Sequence, residues 1–273
     1  METVVVSNPT LITHSVARSL MRSLQWALSA ASVVYATACT GLLTVSDPTL
    51  VQDKDIANAN GADSRRIGVA RSFEAAAVQM ASQVALFTDE RGYDLPAAYS
   101  IDYNFSFFLD SRNSEAIQRF ETGSNSYLAT WDAVVTTADI ALPAIQAYTL
   151  DANKGDFAAE MYAIRGFSIL QIAEDVCPGF PINRISSDNL PIFGKAYTTD
   201  STIAMAIGQL DTALALVHDS TDFKYLAQIA KGRALLDLGQ YTQAAAAVQG
   251  VPAAFTFTSM HTEADAFNFF YQS

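Results

Sequence analysis

The segment "AKGRALLDLGQYTQAAAAV", residues 230–248, constrains the fold more than any other stretch of this chain. Gly232 supplies a small surface where two helices cross closely, and Leu235 packs into the pair. Gly239 ends the first helix, at a position that asks for a left-handed residue. Tyr241 and Ala244 then open a second helix with one large and one small contact. Residues at this spacing mark a helix–turn–helix repeat unit, and such units bury their faces only by stacking on neighbours. These are core positions, so they specify architecture and leave the ligand open.

Upstream, Ala206, Leu210, Ala213 and Leu214 fit the second helix of another unit. Its first helix would be Phe157–Asp175, capped by Asp156, with a connector inserted between the two. The Cys177-Pro178-Gly179-Phe180-Pro181 run stops that first helix. Two more helices precede it. Arg65–Phe87 carries Ile67, Ala70, Ala77, Ala81 and Val84 on one face, with Asp63 or Ser64 as cap. Tyr127–Tyr148 carries Tyr127, Trp131, Val134, Ala138, Ala141 and Ile145 on one stripe, and Pro143 should kink or shorten it. The spacing makes Trp131 a core residue. Asp151–Asp156 reads as a turn-rich break, and helices resume at Thr199–Val217, Phe223–Leu238 and Tyr241–Gln249. No segment alternates with period two for long. The fold class is all-α, with tetratricopeptide-like helical hairpins and long irregular connectors.

The N-terminus has its own pattern. Arg18 and Arg22 precede a stretch, 23–46, with no charged residue. A basic start, an apolar middle and a small-residue exit make a signal peptide. Read from Met21, "MRSLQWALSAASVVYATAC" is a compact signal ending at Cys39. The end, Ala36-Thr37-Ala38-Cys39, resembles a lipobox, although Ala36 stands where Leu is preferred. Residues 1–38 are therefore assigned as signal peptide, with Met21 as a candidate start. Cys39 is the lipid attachment site, 39–62 a lipid-anchored tether and 63–273 the helical domain. Plain secretory cleavage after Ala38 and a retained helical anchor are the alternatives.

The formal net charge of -12 repels phosphate backbones, which argues against a nucleic-acid partner. No Walker loop, dinucleotide fingerprint, H-E-x-x-H or G-x-S-x-G occurs, so neither cofactor nor metal nor catalysis is expected. "DANKGD", 151–156, echoes a calcium loop, but Gly155 sits where an oxygen ligand belongs and Tyr162 replaces the closing Glu. A turn and cap is the better reading. The adjacent carboxylates Asp89-Glu90 and Glu174-Asp175 read as solvated helix ends.

The order of these parts resembles the SusD/RagB family of outer-membrane nutrient-binding lipoproteins. The resemblance is carried by "CTGLLTVSDPT", "EMYAIRGFSILQIAEDVCPGFPINR", "TTDSTIAMAIGQLDTALAL" and "AKGRALLDLGQYTQAAAAVQGVP", in that order. It implies a tetratricopeptide-like scaffold with an irregular ligand-binding region. It also implies a lipid-anchored protein on the surface of the bacterial outer membrane, seated on a TonB-dependent transporter. The nutrient captured would be an oligosaccharide or a peptide, without catalysis. Members of the family are longer than this chain, so the C-terminal part of the family fold is expected to be missing. A helical-repeat adaptor that binds a protein partner at the cell envelope is the alternative.

Sugars are bound by aromatic faces with amides and carboxylates beside them. The stretch "LPAAYSIDYNFSFFL" offers that combination in Tyr99, Asp102, Tyr103, Asn104 and Phe105, the candidate ligand-binding residues. A packed irregular segment is the competing reading of the same residues.

Overall fold

A computed structural model describes residues 55–88, 127–176, 178–186 and 188–258. Among them are six helices: α1 Ala59–Phe87, α2 Tyr127–Tyr148, α3 Asp151–Asp175, α4 Thr199–Leu216, α5 Thr221–Asp237 and α6 Tyr241–Val248. A two-stranded antiparallel pair lies between α3 and α4: β1 Arg184–Ile185 and β2 Pro191–Ile192, with Arg184 opposite Ile192. The described residues are thus all-α in class. Helices adjacent in sequence pack on one another, with α3 also meeting α1 and α5, and β1 resting on α2.

Helix α2 follows its sequence pattern closely. Trp131, Val134, Ala138, Ala141 and Ile145 are all fully buried. The helix runs past Pro143 to Tyr148 and so is not shortened there. Helix α1 departs from expectation at its start and on its face. It begins at Ala59 rather than Arg65, because the Asn58 side chain accepts the Gly61 N–H at 3.0 Å and caps it. Asp63 pairs with Arg66 instead of capping. The buried stripe is Ala62, Val69, Phe73 and Ala76; of the expected face Ala70, Ala77 and Val84 pack against the core, while Ile67 is 45% exposed and Ala81 also faces solvent. Phe73 sets this rotation. Its ring lies edge-on to Trp131, Phe167 and Phe257 at centroid distances of 5.9, 5.4 and 6.2 Å.

Helix α3 begins at Asp151, so residues 151–156 are its opening turns and not a break. Lys154 N–H already bonds to the Leu150 carbonyl at 3.0 Å, and Asp151 suits the positive end of the helix dipole. Composition misleads here because Gly155 serves packing: a Cβ on it would lie 2.9 Å from the Leu216 carbonyl oxygen and 2.9 Å from the His218 ring. Asp156 is an acceptor, though not for its own helix. Its carboxylate takes the backbone N–H groups of His218, Asp219 and Ser220, which lead into α5.

The two hairpins share one device. On α3, a Cβ on Gly166 would sit 2.7 Å from Leu210 Cγ and 3.2 Å from the Ala206 carbonyl oxygen of α4. On α5, a Cβ on Gly232 would sit 2.6 Å from Val248 Cγ1 and 3.5 Å from the Ala244 carbonyl oxygen of α6. Each glycine therefore faces a residue pair spaced by four on its partner helix. Gly239 has φ +71°, and the Gly239 and Gln240 N–H groups bond back to Leu236 and Leu235, a Schellman ending. Tyr241 corrects the expectation of a large contact: it is 70% exposed.

The connector of the first hairpin is irregular but pinned. Asp132 and Asp139, two turns apart on α2, reach the same strip of chain. Asp132 accepts from Asn183 N and Nδ2 at 3.2 and 2.9 Å. Asp139, buried, accepts from Arg184 Nε at 2.6 Å and Ile185 N at 3.0 Å. Its other oxygen lies 3.2 Å from Nε of the equally buried Arg165, which also bonds to Gln209. So fixed, the β1–β2 hairpin leaves Leu190, Ile192 and Phe193 exposed to solvent.

Candidate functional site

Cys39, Tyr99, Asp102, Tyr103, Asn104 and Phe105 lie outside the described residues. The described region instead holds a groove of about 500 Å³ where the end of α2, the start of α3 and the end of α4 converge. Leu142 and Pro143 come from α2, Ala158 from α3 and Leu216 from α4, and they give it an aliphatic lining. Tyr162, half-buried, adds one aromatic ring. Gln146, Asp151 and Lys154 stand as polar lining residues. The volume lies within the ~300–1,000 Å³ range of small-ligand pockets.

The groove is built on fixed parts. Gly155 lets the α4–α5 turn close onto α3. Asp156, next in sequence, clamps the same turn by accepting its backbone N–H groups. Burial pushes the Asp156 carboxyl up, but the His218, Asp219 and Ser220 N–H groups together outweigh it and hold it below the usual carboxylate range. Lys154 Nζ and Asp151 Oδ1 are 3.0 Å apart in a pair whose acidic side chain is 99% exposed. Such a pair is weakly held and open to exchange with a ligand's charges. Sequence reading missed this site because its residues come from three helices, and no local pattern marks them.

A second cluster joins α3 to α5. Glu174 pairs with Arg233, whose guanidinium lies 5.4 Å over the Phe167 ring. Burial and the nearby Asp237 carboxylate push Glu174 up to about 7, against the pull of Arg233. The Glu174 side chain is only 18% exposed, which corrects its reading as a solvated helix end. Asp175 accepts from Gln171 at 2.6 Å. This cluster holds α3 and α5 together. Likewise Arg66 of α1 reaches buried Glu160 of α3 at 2.8 Å and lies 4.4 Å over the Phe157 ring. Burial raises Glu160, and Arg66 opposes that rise.

Among the described residues no group of three or more His, Cys, Asp or Glu is placed to hold a metal, and no helix is long and apolar enough to cross a membrane.

No protein-family model matches this chain, and no curated protein matches it. Among solved structures, it is similar to a SusD-like carbohydrate binding protein from Bacteroides vulgatus, at 16% identity and a TM-score of 0.44. The similarity covers 73% of this chain and 46% of that one, so this chain spans less than half the length of the protein it matches.

Proposed function

We propose that this chain is a nutrient-binding lipoprotein of the bacterial outer membrane. Lipid chains on Cys39 anchor it at the cell surface. It captures an oligosaccharide or a peptide and passes it to a TonB-dependent transporter, without catalysing a reaction. The observation that carries this reading is the doubled hairpin. Gly166 against Ala206 and Leu210, and Gly232 against Ala244 and Val248, build the helical scaffold that the sequence resemblance implies. The order of motifs from Cys39 to Pro252 supports the same reading.

The test is expression in a bacterium of the kind that carries such transporters. Labelling with an alkyne fatty acid should tag the protein and fail with Cys39→Ser. A large β-barrel should co-purify in mild detergent, and calorimetry across glycan and peptide panels should find a ligand. An unlabelled protein free in the periplasm would sink the proposal.

One observation favours the second reading, an adaptor for a protein partner. Leu190, Ile192 and Phe193 are exposed apolar residues on the β1–β2 hairpin, and the ties of Asn183 and Arg184 to Asp132 and Asp139 hold its first strand in place before any partner arrives. An adaptor would bind protein through this hairpin and show no affinity for glycans or small peptides.

A further inference from the structure

The nutrient reading leaves two ligand classes open, and the groove between α2, α3 and α4 distinguishes them. Its lining is largely aliphatic: Leu142, Pro143, Ala158 and Leu216. Among the described lining residues one half-buried ring, Tyr162, is aromatic. A sugar site relies on aromatic faces for the C–H side of the ring. An aliphatic side chain asks only for the kind of lining present here.

The lining charges point the same way. Asp151 and Lys154 carry opposite charges 3.0 Å apart, three residues apart in the first turn of α3 at the solvent edge of the groove. A free amino acid or a dipeptide carries both an ammonium and a carboxylate beside an apolar side chain. Its carboxylate can replace Asp151 as the partner of Lys154, while its ammonium meets Asp151. Each charge then gains an opposite neighbour, so entry leaves no ion unpaired. Gln146 offers an amide donor and acceptor for the peptide group. The walls need no rearrangement, since Gly155 and Asp156 already fix the α4–α5 turn against α3.

Resting on the nutrient-capture reading, we infer that this groove takes a small zwitterion with an aliphatic side chain, an amino acid or a dipeptide, with Lys154 and Asp151 reading its charges.

The test uses the full chain with labelled leucine methyl groups, so that Leu142 and Leu216 report from the groove itself. The ligands are L-leucine, dileucine, N-acetyl-leucine amide and maltotriose. L-leucine or dileucine should shift both reporter methyls in a saturable way. The uncharged N-acetyl-leucine amide should bind roughly tenfold more weakly, as should dileucine to Lys154→Gln, because each loses a charge-assisted contact. Lys154→Gln should melt as the parent does, which separates lost binding from lost folding. Equal binding of the uncharged amide, or unmoved reporters, would overturn the inference. If the reporters stay still while calorimetry detects maltotriose or a longer peptide, the groove assignment fails and nutrient capture stands. If no ligand of either class binds anywhere, both fail.

Discussion

Gly166 and Gly232 do the same job in two hairpins, yet they meet different neighbours. Gly166 presses on Leu210, which is fully buried, so nothing there can move aside. Gly232 presses on Val248, which is 37% exposed at the end of the last described helix. The connections differ as well. The α5–α6 turn is local, closed by Gly239 and two backbone hydrogen bonds. The α3–α4 connection, 176–198, is long and held by α2 through buried charge. The first hairpin is therefore rigid by tertiary contact and the second by local chemistry, and this difference governs how each should respond to mutation.

The largest effect is expected at Asp139. Asp139→Ala strands the Arg165 guanidinium, 3% exposed, without its anion and releases Arg184 and Ile185. Removing one partner of a buried pair costs about 3–5 kcal/mol. The matching pair near the second hairpin, Lys231–Asp211, is solvent-facing, and Asp211→Ala should cost about 1 kcal/mol or less. Urea unfolding of the two variants measures both. Equal losses would break the comparison.

The tie between the hairpins should make stability depend on pH. Glu174 is pushed from its ordinary 4.5 up to about 7 in the folded protein. The folded state then binds more protons than the unfolded chain between those values, so stability falls as pH rises through that window. The full effect is at most about 3 kcal/mol. Glu174→Gln should flatten this part of the pH profile in thermal melts. Asp156 works in the opposite sense: its carboxyl is held low, so its contribution is lost as pH falls through the acid range. A profile that rises from pH 5 to 7 would overturn the assignment to Glu174.

What could be read from the sequence was local or periodic. The α2 stripe around Trp131 repeats every three to four residues, and Gly239 occupies a position that a left-handed turn requires. What could not be read depends on distant partners. Asp156 looks like the cap of the helix that contains it, but its acceptors serve a turn more than sixty residues later. Gly155 looks like a break, because nothing nearby in sequence reveals Leu216 and His218 packing against it. Glu174 looks solvated until α5 brings Arg233 over it. The groove follows the same rule, being assembled from the ends of three helices whose individual patterns record only their core faces.

The smallest effects sharpen the contrast between the hairpins most directly. Gly→Ala inside a helix gains about 1 kcal/mol in propensity, which opposes any steric cost. At Gly232 the methyl meets a valine side chain that has solvent beside it, so Gly232→Ala should fall within about 1 kcal/mol of the parent. At Gly166 the methyl meets both Leu210 and the Ala206 carbonyl oxygen in a closed interior, where overpacking costs about 1–3 kcal/mol. Gly166→Ala should therefore destabilise and Gly232→Ala should not. Tyr241→Ser, at a ring 70% exposed, should change stability by no more than about 0.5 kcal/mol. A clear loss at Tyr241 or at Gly232 would show that the second hairpin is buried against something further, and would remove the distinction between a tertiary-held and a locally held unit.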